Sequence, residues 1–130
     1  MIFIDSDCII DFLRGNENAR KVIGKYETEI STSQINVFEI FFGIFNKKNI
    51  SEKEIVLADN FFNSISIFSF DGKCGRISAK ILSGLMKEGS PIGQNDCFIG
   101  AIMIKNGINT IISNNKKHFS KIKDIRVITY

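Results

Sequence analysis

Four carboxylates stand against sequence that is apolar enough for a protein core. Asp5 closes the run "MIFID" with Asp7 two residues on, Glu39 lies inside "NVFEIFF", and Asp96 lies inside "QNDCFIGAI". A buried carboxylate is costly unless paired or hydrogen-bonded. Another apolar run, "TIIS", ends on Ser113 and is followed by Asn114 and Asn115. Each position has an ordinary structural use. Asp5 can cap the helix after a first strand, Asn36-x-x-Glu39 has capping-box spacing, Asp96 can cap or charge a first helical turn, and Asn115 can make a turn. Such uses explain each position singly. They do not explain why four helix starts or strand ends all carry an acid or amide beside core-grade sequence.

If the acids converge, each carboxylate pair at about 5 Å repels by roughly 3 kcal/mol at an effective dielectric near 20. None of the three acid-bearing stretches contains Lys or Arg. Either the acids are partly protonated or a divalent cation sits among them. Hard oxygen donors without His or Cys favour Mg²⁺ or Mn²⁺ over zinc, and helix N-termini at Glu39 and Asp96 would help to hold the negative charge. Such an ion, keeping waters and open positions, suits phosphate-ester chemistry. One metal or two is left open.

These residues need elements to bring them together. "MIFID" reads as a short buried strand and "CIIDFLRG" as a helix stopped by Gly15, with a second helix from Asn16 to Tyr26. "TEIST" is a strand leading into a mostly buried helix, "SQINVFEIFFGIFNKK", whose Phe residues are expected in the core. Ser51 and Glu54 have capping-box spacing for the next helix. "SISIFSF" alternates like a strand, Asp71 begins a long helix ending near Gly89, and "GQNDCFIGAIMIKNG" is a helix that stops at Gly107. "INTIIS" reads as a buried strand, "NNKKHFSKI" as a turn with a short helix, and "IRVITY" as a closing strand. Strands alternating with helices predict a parallel α/β sheet covered on both faces. Ligands in such sheets bind outside the carboxyl ends of the strands. That edge is where the first strand delivers Asp5, Ser6 and Asp7, and "INTIIS" delivers Ser113, Asn114 and Asn115.

The 130 residues, 44% hydrophobic, suit one domain over residues 1–130. No basic segment precedes the first apolar residues, and no apolar run approaches the ~18 residues of a membrane span, so a cytoplasmic location without membrane contact is expected. Cys8, Cys74 and Cys97 lack CxxC spacing and are expected to be buried and reduced. The net charge of +3 is uneven: from Lys105 onward six cations face one anion, which makes +5 and leaves −2 on the preceding residues. A basic end is compatible with a polyanionic partner, although by itself a solvated face is the simpler reading.

Four stretches, "FIDSDCIIDFLRG", "INVFEIFFGI", "GSPIGQNDCFIGAIMIKNG" and "TIISNNKKHF", in this order and spacing, resemble PIN-domain ribonucleases, specifically the VapC-type toxins of toxin–antitoxin pairs. The resemblance runs nearly end to end. It implies a three-layer α/β/α sandwich with a central parallel sheet, and an acidic site binding Mg²⁺ or Mn²⁺ for endonucleolytic cleavage of RNA. Position by position, it places Asp5, Glu39 and Asp96 at the family's three acids and Asn115 at its fourth position, where members carry Asp or Asn. Ser6 and Ser113 fall where Thr is frequent and are expected to hold metal-bound water or to orient an acid. Asp7 stands where Asn or Ser is common and is expected to support the acids from behind. Asn115 is neutral, which makes a second metal less secure. Family members usually pair with an antitoxin whose segment lies across the active-site groove, and commonly form homodimers; the Phe-rich "VFEIFFGIF" is the candidate for such contacts, against the core packing expected of its Phe residues.

Arg14 matches an Arg frequent in the family, and Lys116 and Lys117 follow the site edge; all three are candidates for RNA or partner contacts. His118, the sole His, reads as a surface or helix-start residue. Two other readings differ in class. "FIDSD" also fits the opening motif of haloacid-dehalogenase-like phosphatases, with Asp5 as nucleophile, but only Asp124 remains after Ser113 to supply the later acidic pair. A magnesium-binding receiver-like signalling module would use Asp5, Asp7 and a phosphate-accepting Asp71, and leaves Glu39 and Asp96 unexplained.

Overall fold

The computed structural model describes residues 1–130. Five apolar or β-branched segments form strands: β1 (Ile2–Ile4), β2 (Ile30–Ser33), β3 (Ser66–Phe68), β4 (Thr110–Ile112) and β5 (Arg126–Ile128). All pair in parallel, in the order β3-β2-β1-β4-β5, with Phe3 opposite both Ser31 and Ile111. Side chains alternate across such a sheet. Phe3 and Ile111 therefore enter one core layer, with α5 (Cys74–Lys87), α6 (Gln94–Lys105) and α7 (Lys116–Phe119). Ile2, Ile4 and Ile112 enter the other, with α1 (Ser6–Leu13), α2 (Glu17–Lys25), α3 (Gln34–Phe45) and α4 (Glu52–Asn63). The result is the three-layer α/β/α sandwich.

Strand β2 carries Ser31 and Thr32 in a fully buried place, because their hydroxyls donate to the Ile2 and Ile4 carbonyls of β1 at 3.2 and 2.8 Å. The helix stops fall as read: Gly15 and Gly107 adopt φ of +86° and +69°, which glycine takes without steric cost. Ser51 caps α4 by accepting from the Glu54 amide at 3.3 Å. Gly100 lets α6 lie against the segment after α7, since a Cβ there would meet the Ile122 methyl at 2.7 Å. All three cysteines are buried and unpaired, and burial pushes the Cys8 thiol up to about 12. No helix is long and apolar enough to cross a membrane.

Three expectations need correction. The helix expected from Asp71 begins at Cys74: Gly72 turns the chain at φ +53°, and Asp71 pairs with Lys105 instead. Only Ser66–Phe68 of "SISIFSF" joins the sheet, as an edge strand beside β2. On α3 the core side is filled by Asn36, Ile40 and Ile44, so Phe38, Phe42 and Phe45 fall opposite and are 58, 57 and 53% exposed. Aromatic density had suggested core for positions that helical geometry turns outward.

Candidate active site

Chain order reverses between β1 and β4, which opens a crevice at the carboxyl edge of the sheet. Asp5 enters it directly after β1, its backbone N–H donating to the Ile112 carbonyl at 3.1 Å. Asp5 occupies the N-cap position of α1 but makes no capping bond with its side chain. Its carboxylate accepts from Asn36 Nδ2 at 3.3 Å on Oδ1 and from Ser113 Oγ at 2.9 Å on Oδ2. Burial, with Asp7's charge adding to it, pushes the Asp5 carboxyl up to about 7.

Helix α3 supplies the neighbouring group. Ser33 is its N-cap and takes the Asn36 amide, so Asn36-x-x-Glu39 is not a capping box. Asn36 is instead a fully buried hub. Its Oδ1 accepts from Ser33 Oγ at 2.6 Å, and its Nδ2 donates to Asp5 and, at 3.0 Å, to Ser6 Oγ. Ser6 Oγ in turn donates to Glu39 Oε1 at 2.9 Å. Burial raises the Glu39 pKa against the Ser6 bond, and the charge of Asp96 raises it further.

Asp96 lies in the first turn of α6, behind the N-cap Gly93, and there its charge complements the helix N-terminus. Its Oδ2 receives His118 Nδ1 at 2.7 Å and Asn115 Nδ2 at 3.4 Å. Asn115 sits at the N-cap position of α7 without capping it through its side chain, and its backbone N–H donates to Ser113 Oγ at 2.9 Å. Asp7 accepts from the Cys8 amide at 2.7 Å and the Asn114 amide at 2.8 Å, and burial raises its pKa. Asp5, Asn115 and Asp96 thus hold positions that helix capping would explain, yet no capping bond uses the side chains of Asp5 or Asn115.

The acids form two sets. Asp5 and Glu39 are joined through Ser6 and Asn36, with Asp7 behind; Asp96, Asn115 and His118 form the second. The charge of Asp96 raises both Asp5 and Glu39, so the two sets lie within electrostatic reach of each other. The ion pairs of the chain are Lys47–Glu54 and Lys105–Asp71, and His118 lies against Asp96, which leaves Asp5, Asp7 and Glu39 without a cationic partner. No three of the His, Cys, Asp and Glu side chains lie close enough to hold one ion by themselves. Mg²⁺ does not require that: it is commonly held by one or two carboxylates and several waters. Oxygen donors, a carboxyl raised by burial and repulsion, and no Lys or Arg paired with Asp5, Asp7 or Glu39 fit such an ion, which at Asp96 would share the carboxylate with His118.

The remaining candidates fall around this centre. Arg14 lines a groove of about 140 Å³ between α1, α3 and α4, together with Ile10, Leu13, Glu39, Ile40 and Leu57. Lys116 and Lys117 are exposed on α7, next to Asn115. Asp71, after edge strand β3, is separated from β1 by β2 and does not join Asp5 and Asp7. Sequence reasoning missed Asn36, Ser33 and His118 as members of the network. A buried amide in the first turn of an otherwise apolar helix was the available signal for Asn36; a single His offered none.

Comparison with known proteins agrees with this architecture. The PIN domain family model matches residues 2–125. Ribonuclease VapC3 of Methanocaldococcus jannaschii is 32% identical over 76% of this chain and 94% of its own length. Ribonuclease VapC2 of Haemophilus influenzae is 28% identical over 87% of this chain and 78% of its own. Among solved structures, VapBC2 from Rickettsia felis, bound to a DNA fragment from its promoter, includes a chain that superposes with a TM-score of 0.88 at 22% identity, covering 100% of this chain and 99% of that one. The chain belongs to the PIN-domain family.

Proposed function

We propose that this chain is a divalent-metal-dependent endoribonuclease, a single nuclease domain that acts in the cytoplasm as the toxin of a VapBC-type pair. The observation that carries the reading is the set of carboxylates at the β1–β4 crevice, of which none makes a salt bridge with Lys or Arg. The similar VapC proteins are ribonucleases, which supports that activity, and the similar VapBC structures support an antitoxin partner.

Asp5, Asp96 and Asn115 would hold Mg²⁺ or Mn²⁺, with Glu39 as a further ligand or as the group that orients water. A bound ion of this kind activates water and neutralises charge on a phosphodiester. The chain's own residues do the rest. Asn115 directs Nδ2 at Asp96, which leaves its Oδ1 as a neutral donor. Ser113 and Asn36 fix the two oxygens of Asp5, and Ser6 fixes Glu39. A raised pKa makes Glu39 a better proton acceptor than an ordinary glutamate. Arg14, Lys116 and Lys117 attract RNA phosphates. The groove beside Glu39 receives an antitoxin segment, and the exposed Phe38, Phe42 and Phe45 form the homodimer contact.

Incubation of purified protein with RNA in Mg²⁺, and in EDTA, tests the activity. Cleavage is expected in Mg²⁺ alone and should be abolished in folded Asp5→Asn and Asp96→Asn. Full cleavage by either variant would overturn the reading.

A further inference from the structure

A ring of hydrogen bonds beside the crevice takes no part in the chemistry outlined above. Asp7 and Asp11 stand one turn apart on α1. Asp7 Oδ2 accepts from the Asn114 backbone N–H at 2.8 Å. Asn114 Oδ1 accepts from the Tyr130 backbone N–H at 3.1 Å. The Tyr130 hydroxyl donates to Asp11 Oδ2 at 2.7 Å, which closes the ring on the same helix. The Tyr130 ring packs against the core layer that contains α1. Burial and the bond to Asp11 hold its phenol pKa far above the usual value, so it remains a neutral donor.

The ring encloses Asn114, the middle residue of a three-residue connection between β4 and α7. The flanking residues of that connection face the acids: Ser113 donates to Asp5, and Asn115 donates to Asp96. Connections are the segments that open most readily, and a displacement of ~1 Å at a site of this kind is felt in its chemistry. The Asn114 side chain makes no other hydrogen bond, and Ser113 Oγ adds a longer contact from this connection to α1, to Asp7 Oδ2 at 3.4 Å.

We infer that Tyr130 and Asp11 are positioning residues: they clamp Asn114 against α1 and so set where the Ser113 hydroxyl and the Asn115 amide meet Asp5 and Asp96. The clamp itself stands on the hydrogen bonds alone. Its effect on metal rests on the proposed function.

Amide hydrogen exchange of the full chain, followed residue by residue, tests it. Tyr130→Phe keeps the packed ring and removes the hydroxyl; Asp11→Ala removes the acceptor; Asp11→Asn keeps an acceptor oxygen. The Asn114 amide is expected to exchange about tenfold faster in the first two variants, with Ile111 and Ile112 unchanged, and to return towards the wild-type rate in Asp11→Asn. Mn²⁺ affinity measured on the same proteins should fall several-fold in the first two and recover in the third. Unchanged exchange at Asn114, or an equal rise along all of β4, would overturn the clamp. If wild type binds no Mn²⁺ while Asn114 responds as expected, the metal reading fails and the clamp is supported.

Discussion

The Ser113 hydroxyl donates to Asp5 Oδ2 at 2.9 Å and joins two residues 108 positions apart across the crevice between β1 and β4. The bond favours the charged carboxylate and so opposes the burial and repulsion that raise its pKa. Ser113→Ala should raise that pKa further and weaken Mn²⁺ binding about 3- to 10-fold at pH 7, with much of the loss recovered at pH 8.5. Ser113→Thr keeps the hydroxyl and should keep the affinity. Calorimetric titrations at the two pH values check both.

Asp5 also makes the stability of the metal-free protein depend on pH. Its folded pKa of about 7 lies above the ordinary carboxylate value, so the folded chain holds the proton more tightly than the unfolded chain. Asp5's contribution to stability is then greatest below pH ~4, falls as pH rises, and falls no further above pH ~7. Asp5→Asn removes this titration. In EDTA the variant should match wild type near pH 4 and exceed it by ~4 kcal/mol at pH 8, as read from urea unfolding at each pH.

Asn36 is the buried amide that three hydroxyl or carboxylate groups share. Asn36→Ala leaves Ser33, Ser6 and Asp5 short of a partner each, which should cost about 2–4 kcal/mol of stability and lower the melting temperature. Asn36→Asp is expected to be worse for metal-free protein at pH 8 than at pH 5, because it sets a second carboxylate against Asp5. Thermal unfolding at the two pH values distinguishes the variants.

Much of this was legible beforehand, for reasons specific to each residue. Strands β1 and β4 show as short apolar runs, α6 as a long apolar segment, and the glycines at positions 15 and 107 mark helix ends because only glycine takes their φ cheaply. Asp5, Glu39, Asp96 and Asn115 could be singled out because acids and amides rarely abut core sequence. What stayed hidden depends on the third dimension. His118 reaches Asp96 only because α7 lies beside the first turn of α6. Asn36 was concealed by an apparent capping box, whose actual cap is Ser33 three residues earlier. Phe38, Phe42 and Phe45 look like core until helical rotation assigns the buried side to Asn36, Ile40 and Ile44.

Lys116 and Lys117 project from α7 next to Asn115, where on the proposed function they would attract phosphate without reading sequence. Replacing both with Ala should weaken RNA binding across unrelated sequences alike and reduce the slope of log affinity against log salt by about 1–2. Filter binding at several salt concentrations, with Asp96→Asn protein to prevent cleavage, measures that slope.

The central claim is that Asp5 and Asp96, brought to one crevice from β1 and α6, hold a divalent cation. Titration of Mn²⁺ into the purified protein at pH 8, followed by electron paramagnetic resonance of the free ion, tests it without reference to catalysis. Saturable binding by wild type is expected, weakened by ~100-fold or more in both Asp5→Asn and Asp96→Asn. Equal Mn²⁺ affinity in wild type and either variant would contradict the account.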